Sequence, residues 1–279
     1  MTTPPRFPIN RLIAKLRKDI SDLAEQAQSA EISQQGRKKL NGEIEHAAND
    51  LNDLITKLDP VKRPEAVFDP GNPRTISFFV ALALSAQERH PLGEVQNFHG
   101  AGIYAIYYTG DFGLYAPIKD TETPIYLGKS VSGRENARMP IEQGSPLSRR
   151  LNEHRKNILR ATKTLKIEDF EYRALIVQSG WEAGAEDYLI RLFRPIWNKE
   201  TKIIFGFGKH GDSASTRRNK RSPWDTLHEG RGWASPKEIT DAKSPQKIEA
   251  ELTKHFGEIS AYHTVNDLVA GFIKNLRQF

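Results

Sequence analysis

The sequence predicts an α/β fold: a small central antiparallel or mixed sheet of about three strands, flanked by helices and extended by helices at both ends. Two observations predict it. Apolar residues recur every three to four positions over the early chain, alternate over short Ile- and Tyr-rich stretches in the middle, and return to the helical period late. Gly and Pro clusters punctuate the changes of period.

The elements follow in order. Residues 9–31 carry Leu12, Leu16, Ile20, Leu23 and Ala27 on one stripe, and residues 36–58 carry Leu40, Ile44, Ala47, Leu51, Leu54 and Leu58 on another. Together they predict an antiparallel helical hairpin with Gly36 at the break. Its stripe serves packing: over the rest of the chain, across a dimer, or both. Pro60, Pro64, Pro70 and Pro73 mark an extended connection over 59–74, and an apolar helix spans 75–88. Gly102–Tyr108 reads as a strand and Pro124–Gly128 as its partner, with a long irregular loop between them broken by Gly110, Gly113 and Pro117. Ser145-Pro146 opens a helix to about residue 161. Phe170–Val177 is a third strand, and Glu182–Phe193 a helix stopped by Pro195. Residues 203–235, rich in Gly, Ser and charge, read as a long loop. Helices return at about 236–256 and 264–277.

Composition bounds the function. The 279 residues suffice for one large domain or two small ones. No stretch is apolar enough to span a bilayer, and Met1-Thr2-Thr3-Pro4-Pro5 does not open like a secretory signal. The absence of cysteine excludes disulfides and thiolate zinc sites and fits a reducing cytosol. The net charge of +6 points to a polyanionic partner. The positive charge concentrates in residues 144–166 and 199–235, either as a binding surface or as a solvated basic face.

Six residues are candidates for chemistry. Tyr104 and Tyr126 lie on neighbouring strands, where two phenols form a cross-strand pair or fill a core. Arg150 and His154 share a helix face one turn apart, suited to gripping a phosphate and moving a proton, or else belonging to an exposed basic helix. Glu186 lies beside the buried face of its helix, where a carboxylate needs a divalent cation or a basic neighbour. Asn198, just past Pro195, is a turn former or an orienting amide.

Taken in order, Gly102-Ile103-Tyr104, Tyr126-Leu127-Gly128, Arg150 with His154, Glu186 and Asn198 resemble the GIY-YIG nuclease superfamily. The segments Phe68-Asp69-Pro70, Pro124–Lys129, Gly206–His210 and Arg221–Asp225 are similar to its type II restriction endonucleases that cut the palindrome CCGCGG; this likeness covers roughly 67–235. Leu127 stands where Ile or Val is usual. The 21 positions between Tyr104 and Tyr126 exceed the superfamily's short linker, which disfavours a repair or homing nuclease and suits the restriction branch.

The resemblance implies the GIY-YIG fold and site-specific hydrolysis of double-stranded DNA. It implies one Mg²⁺ per site on Glu186, Tyr104 as general base supported by His154, and Arg150 stabilising charge on the phosphate. Tyr126 positions water or phosphate, and Asn198 orders the site or the DNA backbone. Lys129 is a phosphate contact or a solvated lysine. A palindromic target implies a homodimer, a G·C-only target implies arginine readout of guanine, and a restriction system implies a cognate methyltransferase and a bacterial cytoplasm. Arg217, Arg218, Lys220, Arg221 and Arg231 are candidate DNA contacts. The expected division is a hairpin over 1–66, a nuclease core over 67–235 and a helical segment over 236–279. A catalytically inactive DNA-binding protein on the same scaffold is the alternative.

Overall fold

The computed structural model describes residues 8–30, 32–61, 69–134, 136–137, 139–177, 180–208, 220–235 and 239–276. The chain forms two compact units, Met1–Glu65 and Ala66–Phe279.

The first unit holds helices α1 (Ile9–Ser29) and α2 (Gln34–Leu58). Gly36 is not the break between them. It lies in the first turn of α2, where its amide donates to the side chain of the N-cap Ser33 at 3.1 Å. Ser33 satisfies an otherwise orphan donor and so starts the helix earlier than glycine alone suggests. Helix α1 has no buried residue.

The second unit is built on a four-stranded sheet in which every pairing is antiparallel. Its strands are β1 (His90–Pro91), β2 (Gly102–Tyr108), β3 (Tyr126–Ser130) and β4 (Phe170–Ile176), in the order β1-β4-β2-β3. The three expected strands are present. The fourth, β1, is two residues long, too short for any periodicity to announce, and its Pro91 sits at the sheet's edge, where a missing donor costs no ladder bond.

Strand β2 is buried along its whole length, so its two faces feed two separate cores. Tyr104, Ile106 and Tyr108 pack with α4 (Pro146–Arg160), while Ile103, Ala105 and Tyr107 pack with α3 (Pro73–Ser85) and α5 (Glu182–Phe193). Each fully buried Ile, Leu or Phe in these cores contributes about 1.5–3 kcal/mol. Two C-terminal helices, α7 (Pro245–Glu258) and α8 (Val265–Leu276), add Ile248 and Leu252 to the first core and Leu268 and Phe272 to the second. Helix α7 begins about nine residues later than the period suggests, because Ser244 caps it and Pro245 takes its first position. Among the described residues, no helix is long and apolar enough to cross a membrane.

The stretch expected as a loop over 203–235 is partly core. Ile203, Ile204, Phe207 and Trp224 are buried, and α6 (Pro223–Leu227) interrupts it. Beside it, His228 is enclosed. Its Nε2 lies 2.5 Å from the Tyr115 hydroxyl and its Nδ1 2.8 Å from Thr164 Oγ1. Burial, and then the charge of Arg231, push its pKa down to about 3.

Folding therefore keeps His228 neutral, while the unfolded chain protonates it near pH 6.5. Its contribution is whole above pH 6.5 and is lost as pH falls from there toward 3, at about 1.4 kcal/mol per pH unit. Urea unfolding at pH 7 and pH 5 is expected to show a steeper loss of stability in the unmodified protein than in His228→Gln. Equal losses would contradict the assignment.

Candidate active site

The register of β2 builds the site. Directly opposite Tyr104 stand Gly128 on β3 and Ala174 on β4. Two small neighbours leave room for the phenol. A Cβ added at Gly128 would lie 2.3 Å from the Tyr104 hydroxyl, so no larger residue fits there unless Tyr104 moves. Tyr126 is opposite Ile106, not Tyr104. It is the diagonal neighbour of Tyr104, their ring centroids 6.1 Å apart.

Helix α4 buries Leu147, Leu151, His154 and Ile158 on one stripe, which carries His154 onto the sheet. The Tyr104 hydroxyl meets His154 Nε2 at 2.6 Å, with both residues fully buried. Burial raises the Tyr104 pKa well above its usual value of 10; neighbouring Tyr126 adds to the rise and the Arg150 charge opposes it. Tyr126 is raised too, again chiefly by burial and again opposed by Arg150. Both phenols are therefore protonated at neutral pH, and Arg150 is the cation that eases ionisation of each. Arg150 itself donates to Glu153 Oε2 and to the Gly208 carbonyl, each at 2.9 Å.

Glu186 approaches from α5, which packs on α3 and β3. Its carboxylate pairs with Lys129 Nζ at 3.1 Å. Arg191, the other partner its helix offers, binds Asp187 instead. Burial raises the Glu186 pKa and Lys129 opposes the rise. This is a partly desolvated carboxylate neutralised by a half-exposed ammonium, a donor that suits a hard divalent cation. Among the described residues no cluster of three His, Asp or Glu could form an all-protein cage. Magnesium is ordinarily held by one or two carboxylates with waters and substrate phosphates, and Glu186 fits that pattern.

Asn198 serves the sheet. Strand β3 lies at the sheet's edge, and the Asn198 amide pairs with it as a neighbouring strand would. Its Oδ1 accepts from Leu127 N and its Nδ2 donates to Leu127 O, both at 2.9 Å. The backbone joins in, with Trp197 N donating to Ile125 O at 3.1 Å. Edge groups that would otherwise be orphaned are thus satisfied next to the tyrosines.

Tyr126, Arg150, Glu186 and Asn198 line one cleft of about 900 Å³, with Tyr104 and His154 behind them. Of the other expected residues, Lys129 joins the site through Glu186. Lys220 is exposed. Arg221 is turned inward, binding Asp241 and the Ala234 carbonyl at 2.9 Å each. Arg231, expected to contact DNA, is only 1% exposed and paired with Asp225 inside the fold, out of reach of a base. Arg217 and Arg218 lie outside the described residues. Sequence reasoning missed Phe207, whose ring stacks on His154 at 4.5 Å. Its signal was the Gly206–His210 segment, which carries part of the resemblance but gives no period that would place the ring.

A family model described as the Eco29kI GIY-YIG domain matches residues 96–256. No curated protein matches the chain.

Asn198→Ala would strand two buried backbone groups of Leu127. Urea denaturation is expected to show a loss of about 1–3 kcal/mol. Unchanged stability would mean that Asn198 does not hold the edge of β3.

Proposed function

The chain belongs to the Eco29kI GIY-YIG domain family, a restriction endonuclease family, and from that premise we propose that it is a type II enzyme. In this reading it hydrolyses phosphodiester bonds in double-stranded DNA at a palindromic, GC-rich site, CCGCGG, in a Mg²⁺-dependent reaction. The observation that carries the reading is the buried 2.6 Å contact between the Tyr104 hydroxyl and His154 Nε2, made behind Tyr126 in the wall of a cleft that also presents Arg150 and Glu186.

The chemistry follows from these groups. A phenol this strongly protonated cannot act as a standing base at neutral pH. It works as a relay: Tyr104 takes a proton from the attacking water while its own proton passes to Nε2 of His154. That step needs the imidazole neutral and protonated on Nδ1. Arg150 stays charged and offsets the negative charge that develops on the phosphate. Tyr126, at the cleft, orients the water or the phosphate, and Asn198 keeps its strand in place. Glu186 would hold one Mg²⁺ per site, and when bound that ion supplies charge to the phosphate and the leaving oxygen. Lys129, freed from Glu186, then becomes available to a phosphate.

Cutting both strands of a palindrome calls for two such sites, and so for a homodimer. Such an enzyme works beside a methyltransferase that protects the same site in the bacterial cytoplasm. A repair or homing nuclease would give other cleavage patterns, and an inactive DNA-binding protein none.

Incubation with plasmid DNA and Mg²⁺, followed by sequencing of the ends, is expected to give discrete fragments sharing one end sequence. A smear would contradict site specificity, and binding without cutting would contradict the enzyme reading. Glu186→Ala is expected to lower the cleavage rate about 10³-fold or more while DNA binding persists. Tyr104→Phe is expected to lose about 10²–10⁴-fold. Normal rates in either variant would remove that residue from the reaction.

A further inference from the structure

The stretch from Gly206 to Gly208 touches both Arg150 and His154 of α4. The Phe207 ring stacks on the His154 imidazole with planes 19° apart. The Gly208 carbonyl accepts from Arg150 Nη2 at 2.9 Å. A Cβ at Gly208 would lie 2.8 Å from the Tyr126 hydroxyl and 2.9 Å from Arg150 Nη2, so the backbone itself forms part of the wall of the site.

Arg231 fixes this stretch from below. Its Nη2 donates to the Gly206 carbonyl at 3.0 Å and its Nη1 to the Phe207 carbonyl at 3.2 Å. Its Nε donates to Asp225 Oδ1 at 2.6 Å, and the other carboxylate oxygen accepts from Ser222 Oγ at 2.6 Å. The guanidinium lies 4.4 Å from the Trp224 ring centroid and 4.6 Å from that of Trp233. From α4, Asn157 Nδ2 reaches the same Phe207 carbonyl at 3.2 Å. A buried ion pair is a weak source of stability, because desolvating two charges offsets much of their attraction. What this pair does supply is a fixed fork of donors aimed at two consecutive carbonyls.

We infer that Arg231 and Phe207 are positioning residues for cleavage. Arg231 sets the carbonyls of Gly206 and Phe207. Through them the Phe207 ring holds His154 against Tyr104, and the Gly208 carbonyl holds the guanidinium of Arg150. The inference rests on the nuclease reading above and gives Arg231 a task other than touching DNA.

Single-turnover cleavage at saturating DNA with Mg²⁺, measured beside DNA affinity, tests it. Phe207→Leu keeps an apolar side chain in the core but removes the stacked ring. Its rate is expected to fall by about 10-fold or more, as small misplacements of catalytic groups do, with the DNA Kd within about 3-fold. Asn157→Ala removes one support of the same carbonyl from a half-buried helix position, and a loss of about 3-fold or more is expected. The side-chain ¹⁵N resonances of His154, assigned by their disappearance in His154→Gln, are expected to shift in Phe207→Leu. A residue that only filled the core would leave the rate unchanged in the folded variant and would shift the His154 resonances only by the small amount that loss of a nearby ring current produces. Wild-type rates in both variants, or a rate loss matched by lost DNA binding, would overturn the inference and leave the nuclease reading standing. Absence of cleavage by the unmodified protein would overturn both.

Discussion

A strand buried on both faces can carry a polar group only where a partner is waiting for it. Strand β2 is such a strand, and it carries three tyrosines. Tyr104 meets His154, Tyr107 accepts from Arg173 Nη1 at 3.0 Å, and the Tyr108 hydroxyl accepts from the Phe112 amide at 2.6 Å. Leaving any of these hydroxyls unpaired would cost on the order of 1–3 kcal/mol. Helix α4 must therefore dock with His154 over Tyr104, and that docking carries Arg150 one turn away to the mouth of the same site. The packing of the sheet and the geometry of the candidate chemistry are one constraint.

The rest of the unit supports that contact from two sides. At the sheet's edge, Asn198 stands in for a missing strand and keeps β3, and with it Tyr126 and Lys129, in register. On the far side of the imidazole, Phe207 closes the stack. Glu186 comes from a different core, packed against α3, so the carboxylate and the tyrosine-histidine pair are held by independent hydrophobic clusters on the two faces of one sheet. Movement of one core against the other would alter the distance between the carboxylate and the phenols. The four-stranded sheet shared by both cores is what resists it.

Most of this was legible in the sequence where periodicity speaks. The helix Glu182–Phe193 and the strand Gly102–Tyr108 have the predicted bounds, because alternation, apolar stripes and Pro195 mark them. The stripe Leu147, Leu151, His154 and Ile158 was also there to be read; it places His154 inward at heptad-like spacing. What was not legible lies where single long-range contacts decide. The exact partner of Tyr126 depends on a register that turns and loops set jointly. The 203–235 stretch has no period, and its order comes from isolated anchors such as Phe207, Trp224 and the Asp225–Arg231 pair. Arg231 shows the limit most clearly. An arginine in a basic, Gly-rich stretch has the composition of a DNA contact, yet its donors are directed at backbone carbonyls inside the fold.

The proton path from Tyr104 to His154 is the claim on which the chemistry turns, and a double-mutant cycle measures it most directly. Single-turnover cleavage rates would be compared for the unmodified protein, Tyr104→Phe, His154→Ala and the double variant. If the two side chains act as one relay, the double variant is no slower than the slower single variant, because the path is already broken. Losses that multiply would show that the two residues act independently, and would contradict the relay.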